Sequence, residues 1–220
     1  MNPHHATPGI TRKMIVMAAL ALLLLLIIVV LVFILKHDGF DNAVFSLTAD
    51  HISPACTRFM RAITFLGKHS FLVPANLLLI ACFIILKNKY WAISVAVVSL
   101  SSLGLMSLLK NMVQRHRPEN PMVEGITNFG FPSGHAFMSV AFYGLLALWT
   151  AVTIKNKWQR RVIISFLLLL ILLIGYSRIY LRVHYATDVI AGFCIGICWL
   201  FFCLWLINKI KTGSRLVAKQ

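Results

Sequence analysis

Six long apolar stretches, separated by polar segments, dominate the 220-residue chain: roughly 14–36, 71–87, 91–109, 136–154, 162–181 and 189–207. Crossing ~30 Å of hydrocarbon takes about 20 apolar residues in a helix, so each stretch predicts a transmembrane span. The first, from Met14 to Leu35, is longer than the core of a signal peptide. It runs into Lys36-His37-Asp38 and not a small-residue cleavage site, which predicts a retained helix. Between the first two spans, Phe40, Val44, Phe45 and Leu47, then Phe59, Met60, Ile63 and Leu66, recur at helical spacing, and Ser53-Pro54 reads as an N-cap followed by a first-turn proline. One or two amphipathic helices lying in the outer interface are expected there. The stretch 111–135 holds Pro118, Pro121, Gly125, Gly130 and Pro132 and is expected to be irregular. The architecture expected is all-α and polytopic, one six-helix domain over 14–207 between polar tails at 1–13 and 208–220. Gly192 and Gly196 form a small-xxx-small pair that lets another helix come close, one of the same chain in preference to that of a second copy.

Composition agrees with a membrane protein, since 60% of residues are hydrophobic and only 12% charged. The formal charge of +15 would suit a nucleic-acid binder, but the bases cluster at helix ends. If the six spans alternate, one side carries Arg12, Lys13, Lys87, Lys89, Lys155, Lys157, Arg160, Arg161, Lys209, Lys211, Arg215 and Lys219 and no acid. All six acids fall on the other side, with the remaining nine bases. The positive-inside rule then makes the first side, with both termini, cytoplasmic and the other outer, in a plasma or inner membrane, and removes the case for nucleic acid. Trp91, Trp149, Trp158 and Trp205 fall near the inner helix ends, where indoles favour the interface. Of five cysteines, only Cys56 lies outside the predicted helices, so no disulfide framework is expected. Cys194 and Cys198 share a helix face but are read as small buried hydrophobes.

Ionisable residues at membrane depth mark sites. Lys110 and Arg117-Pro118 end the third span and begin the long loop; Pro132-Ser133-Gly134-His135 opens the fourth; Ser177-Arg178, His184 and Asp188 link the fifth to the sixth. Alternation of six helices brings all three groups to the outer face. Lys110, Arg117 and Arg178, with Arg182 as a further candidate, are an anion clamp whose guanidinium forks match phosphate oxygens. Ser133-Gly134 at a helix start adds unpaired backbone N–H donors. His184 and Asp188, four apart, share a face on a helical turn, so the carboxylate can hold the imidazole with its other nitrogen free to attack. His135 can protonate the departing oxygen. These parts fit in-line phosphoryl transfer to His184, then hydrolysis of the phosphohistidine by water. A divalent-metal site on His135, His184 and Asp188 is the sharper rival, opposed by the nearby cations and the single carboxylate. His37, His51, His69 and His116 are read as interfacial polar residues, and His4-His5 as part of a tail.

Lys110-x6-Arg117-Pro118, Pro132-Ser133-Gly134-His135 and Ser177-Arg178-x5-His184-x3-Asp188 resemble the three-part signature of the type 2 phosphatidic acid phosphatase family, without a departure. The resemblance implies a metal-independent lipid phosphatase without a cofactor. It implies His184 as nucleophile, Asp188 orienting it, His135 as proton donor, and Lys110, Arg117, Ser133, Gly134 and Arg178 around the phosphate. The implied substrates are membrane lipids with a terminal phosphate or pyrophosphate: phosphatidic acid, phosphatidylglycerol phosphate, polyprenyl pyrophosphate or lipid A types. A lipid phosphotransferase and a non-catalytic protein that binds or transports an anionic lipid are the alternatives, and the oligomeric state is left open.

Overall fold

A computed structural model describes residues 7–125 and 128–217. Helices are the regular elements among them: α1 (Arg12–Val29), prolonged by a π-helical turn over Val30–Ile34, α2 (Gly39–Ala49), α3 (Pro54–Phe65), α4 (His69–Ile85), α5 (Lys89–Val113), α6 (Gly134–Ser139), α7 (Leu145–Thr153), α8 (Lys157–Tyr180) and α9 (Ala186–Val217). A π-helical segment, Val140–Gly144, joins α6 to α7, so the two form one rod. Among the described residues, five helices are long and apolar enough to cross a membrane: Arg12–Ile34, Lys89–Val113, Gly134–Thr153, Lys157–Tyr180 and Ala186–Thr212. At 1.5 Å per residue the first alone reaches about 34 Å. A sixth crossing exists if α3 and α4, bent by 41° where they meet, act together. All six expected apolar stretches are therefore helical, but α4, at 17 residues, is the short one.

The caps follow the sequence chemistry. Ser53 Oγ accepts from the Cys56 N–H at 3.2 Å, with Pro54 inside the first turn of α3. Thr11 caps α1 and Asn156 caps α8 in the same way. Past the sixth apolar run, α9 continues to Val217, so the expected polar tail from 208 onward is helical over most of its length. A membrane-length run needs no stop signal at the interface, and no Gly-Pro punctuation falls until Gly213. His4-His5 lies outside the described residues.

α9 is the hub, packing on α1, α5, α6 and α8. Its small-xxx-small pair explains the closeness to the α6 rod. A Cβ at Gly192 would stand 2.7 Å from the Ser133 carbonyl oxygen, and one at Gly196 2.8 Å from Val140 Cβ. The pair therefore serves packing within the chain. Trp91, expected at the lipid interface, is instead fully buried against Phe83 and Tyr90, while Trp158 and Trp205 are exposed. Position near a helix end does not decide which way an indole faces; the neighbouring helices do. All five cysteines are free, and Cys194 and Cys203 are buried.

Candidate active site

The three sequence groups meet at one end of the bundle. Lys110 stands in the last turn of α5, Arg117 in the loop that follows, Gly134 and His135 in the first turn of α6, Arg178 in the last turn of α8, and His184 in the turn before α9. Lys110, Arg117, Gly134, His135, Arg178 and His184 line a single polar cleft of about 490 Å³. Ser133 occupies the N-cap position of α6 without a side-chain cap bond; its Oγ is buried without a partner. The Ser133 N–H bonds the Asp188 carbonyl at 3.0 Å, which ties the second group to the third.

Backbone carbonyls aim the cations. Lys110 Nζ donates to the Phe129 carbonyl at 2.6 Å. Arg117 Nε donates to Asn128 O at 2.7 Å, and its Nη1 to Val183 O at 2.6 Å, while Nη2 reaches the Asn128 side chain. Arg178 is 5% exposed, donates from Nη1 to Thr64 Oγ1 at 2.8 Å, and keeps its Nε without a partner. A buried donor of that kind costs about 1–3 kcal/mol if left unmade, so a cleft edged by such groups favours an anion with several acceptor oxygens. Arg182 is not among them. Its guanidinium lies 5.7 Å over the Phe45 ring in a separate outer cleft with Glu119 and Tyr185, turned away by its left-handed backbone (φ 53°). The expected fourth member of the clamp is thus excluded.

His184 is 1% exposed. Its Nε2 lies 3.2 Å from Arg117 Nη1, and a guanidinium only donates, so Nε2 carries the lone pair and Nδ1 the proton. Nδ1 faces Asp188 Oδ2 at 3.6 Å, close enough for charge attraction but beyond a hydrogen bond. The pair does not share a helix face as expected. His184 precedes α9, and Asp188, in the first turn, reaches back to accept from the Tyr185 N–H at 3.0 Å, a capping-box contact that pins the carboxylate. Burial, then the Arg117, Arg178 and Lys110 charges, hold His184 well below the ordinary imidazole range. The Arg117 guanidinium is lowered by burial.

Several residues here carry no sequence signal of their own. A Cβ on Gly67 would come 3.2 Å from His135 Cδ2, so the α3–α4 corner closes directly on that imidazole. His69, expected to be merely interfacial, lines the cleft. Arg115 binds Asp188 Oδ1 at 2.6 Å and Asp41 Oδ2 at 3.0 Å. Only the shortage of acids pointed that way: with six in the chain, an acid near the site must have a partner.

The chain is similar to known membrane phosphatases. The chain is 29% identical over 160 residues to phosphatidylglycerophosphatase B of Bacillus subtilis, covering 72% of this chain and 78% of that one. It is 32% identical over 140 residues to lipid A 4'-phosphatase of Bacteroides thetaiotaomicron, covering 54% and 59%. The crystal structure of a transmembrane PAP2-type phosphatidylglycerolphosphate phosphatase from Bacillus subtilis superposes with a TM-score of 0.77 at 26% identity, over 87% of this chain and 96% of that one. The family model of the PAP2 superfamily matches residues 91–211, a stretch holding all the cleft's cations and both its motif histidines, and the chain belongs to that superfamily.

Proposed function

We propose that this protein hydrolyses a terminal phosphate or pyrophosphate of a membrane lipid, without a metal, through a phosphohistidine on His184. The observation that carries the reading is the continuity of two clefts. The polar one shares His69, Leu103 and Met138 with an apolar groove between α4, α5 and the α6 rod, lined by Leu72, Leu77, Val95 and Phe142. A cationic chamber opening onto an apolar groove suits a phosphate carried on an acyl or prenyl chain. The relatives' names, a phosphatidylglycerophosphatase and a lipid A phosphatase, support the same substrate class.

In the first step His184 Nε2 attacks phosphorus while Lys110, Arg117, Arg178, the Ser133 hydroxyl and the Gly134 backbone hold the non-bridging oxygens. The N–P bond forms as the bond from phosphorus to the lipid oxygen breaks, and His135 gives that oxygen its proton. The Arg117 N–H that meets Nε2 redirects its hydrogen bond to a phosphate oxygen, freeing the lone pair without moving a proton. Asp188 steadies the positive charge of the phosphorylated ring. In the second step His135 takes a proton from water, whose oxygen attacks phosphorus; inorganic phosphate leaves and His184 is restored. Among the described residues no three His, Cys, Asp or Glu side chains converge as metal ligands, and the three cations would repel a divalent ion. With the base-rich helix ends cytoplasmic, the cleft opens on the outer face of the plasma or inner membrane.

The test is phosphate release from a detergent-solubilised panel: phosphatidylglycerol phosphate, phosphatidic acid, undecaprenyl pyrophosphate and lipid A, each with and without EDTA. Release that survives EDTA is expected. No release from any of them overturns the reading, and loss with EDTA that zinc or magnesium restores overturns its metal-free form. A second expectation concerns pH. The nucleophile is the neutral imidazole, so its protonation sets an acid limb, and activity falls as pH drops through its pKa. Because that pKa is depressed, the acid limb of kcat/KM, corrected for ionisation of the substrate phosphate, should lie below the ordinary histidine value of about 6.5. A limb at or above that value contradicts a His184 buried among cations.

A further inference from the structure

The carboxylate behind the nucleophile belongs to a buried network that the phosphatase reading does not use. Arg115 lies between two acids: Nη1 donates to Asp188 Oδ1 at 2.6 Å and to Thr187 Oγ1 at 2.8 Å, and Nη2 to Asp41 Oδ2 at 3.0 Å. Asp41 is fixed in turn by the Thr187 N–H at 2.9 Å and the Thr187 hydroxyl at 2.7 Å. The two carboxylates are 1% and 0% exposed, and Arg115 is stacked 4.4 Å over the Tyr185 ring. Asp41 comes from α2, a helix far from the three motifs in sequence, which packs on α8 and α9.

We propose that Arg115 and Asp41 are positioning residues for His184: Arg115 fixes Asp188 beneath the imidazole, and Asp41 neutralises Arg115 so that the charge of Asp188 stays available to the ring. The argument is one of charge. An arginine paired with Asp188 alone would make a neutral pair, and the carboxylate would have little left for His184. With Asp41 present, one guanidinium serves two carboxylates and the network holds a net charge of −1 on the Nδ1 side. On the Nε2 side stand Lys110 from α5, Arg117 from the loop and Arg178 from α8, with His135 from α6, so this network is the anionic counterweight within reach. The need arises in the step proposed above. When Nε2 bonds phosphorus, and the electron pair leaves on the lipid oxygen with the His135 proton, the ring becomes cationic and the surplus charge meets it. The inference therefore rests on the phosphohistidine reading.

The test compares three purified full-length proteins on phosphatidylglycerol phosphate, or on whichever panel lipid the wild type cleaves fastest. Asp41→Asn removes one negative charge and should lower kcat by about 10- to 100-fold, the range for outer-shell partners that orient an imidazole, with KM within about twofold. Asp41→Asn combined with Arg115→Gln removes one charge of each sign, restores −1 on Asp188, and should recover kcat above the single variant. A scaffold role alone would make the double variant no better than the single. Either that result or a wild-type kcat in Asp41→Asn overturns the proposal. Should Asp41→Asn prove too unstable to purify, wild type and double variant are compared directly; they should agree within about tenfold, and a larger gap overturns the charge argument. A wild type inert towards the whole panel sinks the phosphatase reading and this inference together, whereas an active wild type with an equally active Asp41→Asn sinks only the inference.

Discussion

Alanine in place of His184 is expected to lower phosphate release by about 10⁴- to 10⁶-fold, the loss typical of removing a nucleophile from an assembled site. The magnitude follows from what the substitution leaves behind. Lys110 and Arg178 take their orientation from Phe129 and Thr64, and Arg117, which also meets the imidazole at Nε2, is held independently by Asn128 and Val183. Substrate should still bind, so the loss belongs in kcat, with KM little changed. His184 is buried, so folding is checked by monodispersity and thermal unfolding, and His184→Asn, closer in shape, should be as inactive as the alanine variant. Labelled phosphate trapped on the wild-type protein under an alkaline quench, where phosphohistidine survives, should be absent from both variants. A rate within tenfold of wild type would sink the assignment.

His135→Ala should cost about 10²- to 10⁴-fold on a lipid phosphate, the usual yield of a positioned general acid. The expected effect depends on the leaving group. A lipid alkoxide needs the proton; p-nitrophenolate does not, so with p-nitrophenyl phosphate the first step should be nearly intact. The second step still lacks its base, and labelled phosphohistidine should then accumulate. Equal losses on both substrates with no accumulation would show that His135 has another role. The geometry that makes the prediction sharp is the Gly67 corner, which crowds one edge of His135 and leaves the cleft as the direction open to it.

Much of this could be read from the chain alone, for definite reasons. An apolar run long enough to cross a bilayer has few alternatives to a helix, because hydrocarbon cannot satisfy an open backbone. The spans, the Ser53-Pro54 start of α3 and the irregular loop before Pro132 follow from such local rules. Lys110, Arg117, His135, Arg178 and His184 were legible as one cleft because alternation across a membrane sorts residues by face before any packing is known. Local rules do not say which way a side chain turns once helices meet. Arg178 and Arg182 are four apart, yet one lines the cleft and the other lies over Phe45. Trp91 and Trp158 both stand in the first turn of their helices, and one is core while the other is exposed.

The sequence by itself determined the apolar spans, the family signature and the charged residues of the three motifs, since each depends on hydrophobic length, residue type and short spacing. Only the tertiary structure decided how those charges are balanced. His184 stands outside α9 with its proton towards Asp188, and Arg115 and Asp41 complete that carboxylate's surroundings from a loop and from a helix more than a hundred residues away. A buried charge is tolerated only beside its partner, and which partner reaches it is settled when the helices pack.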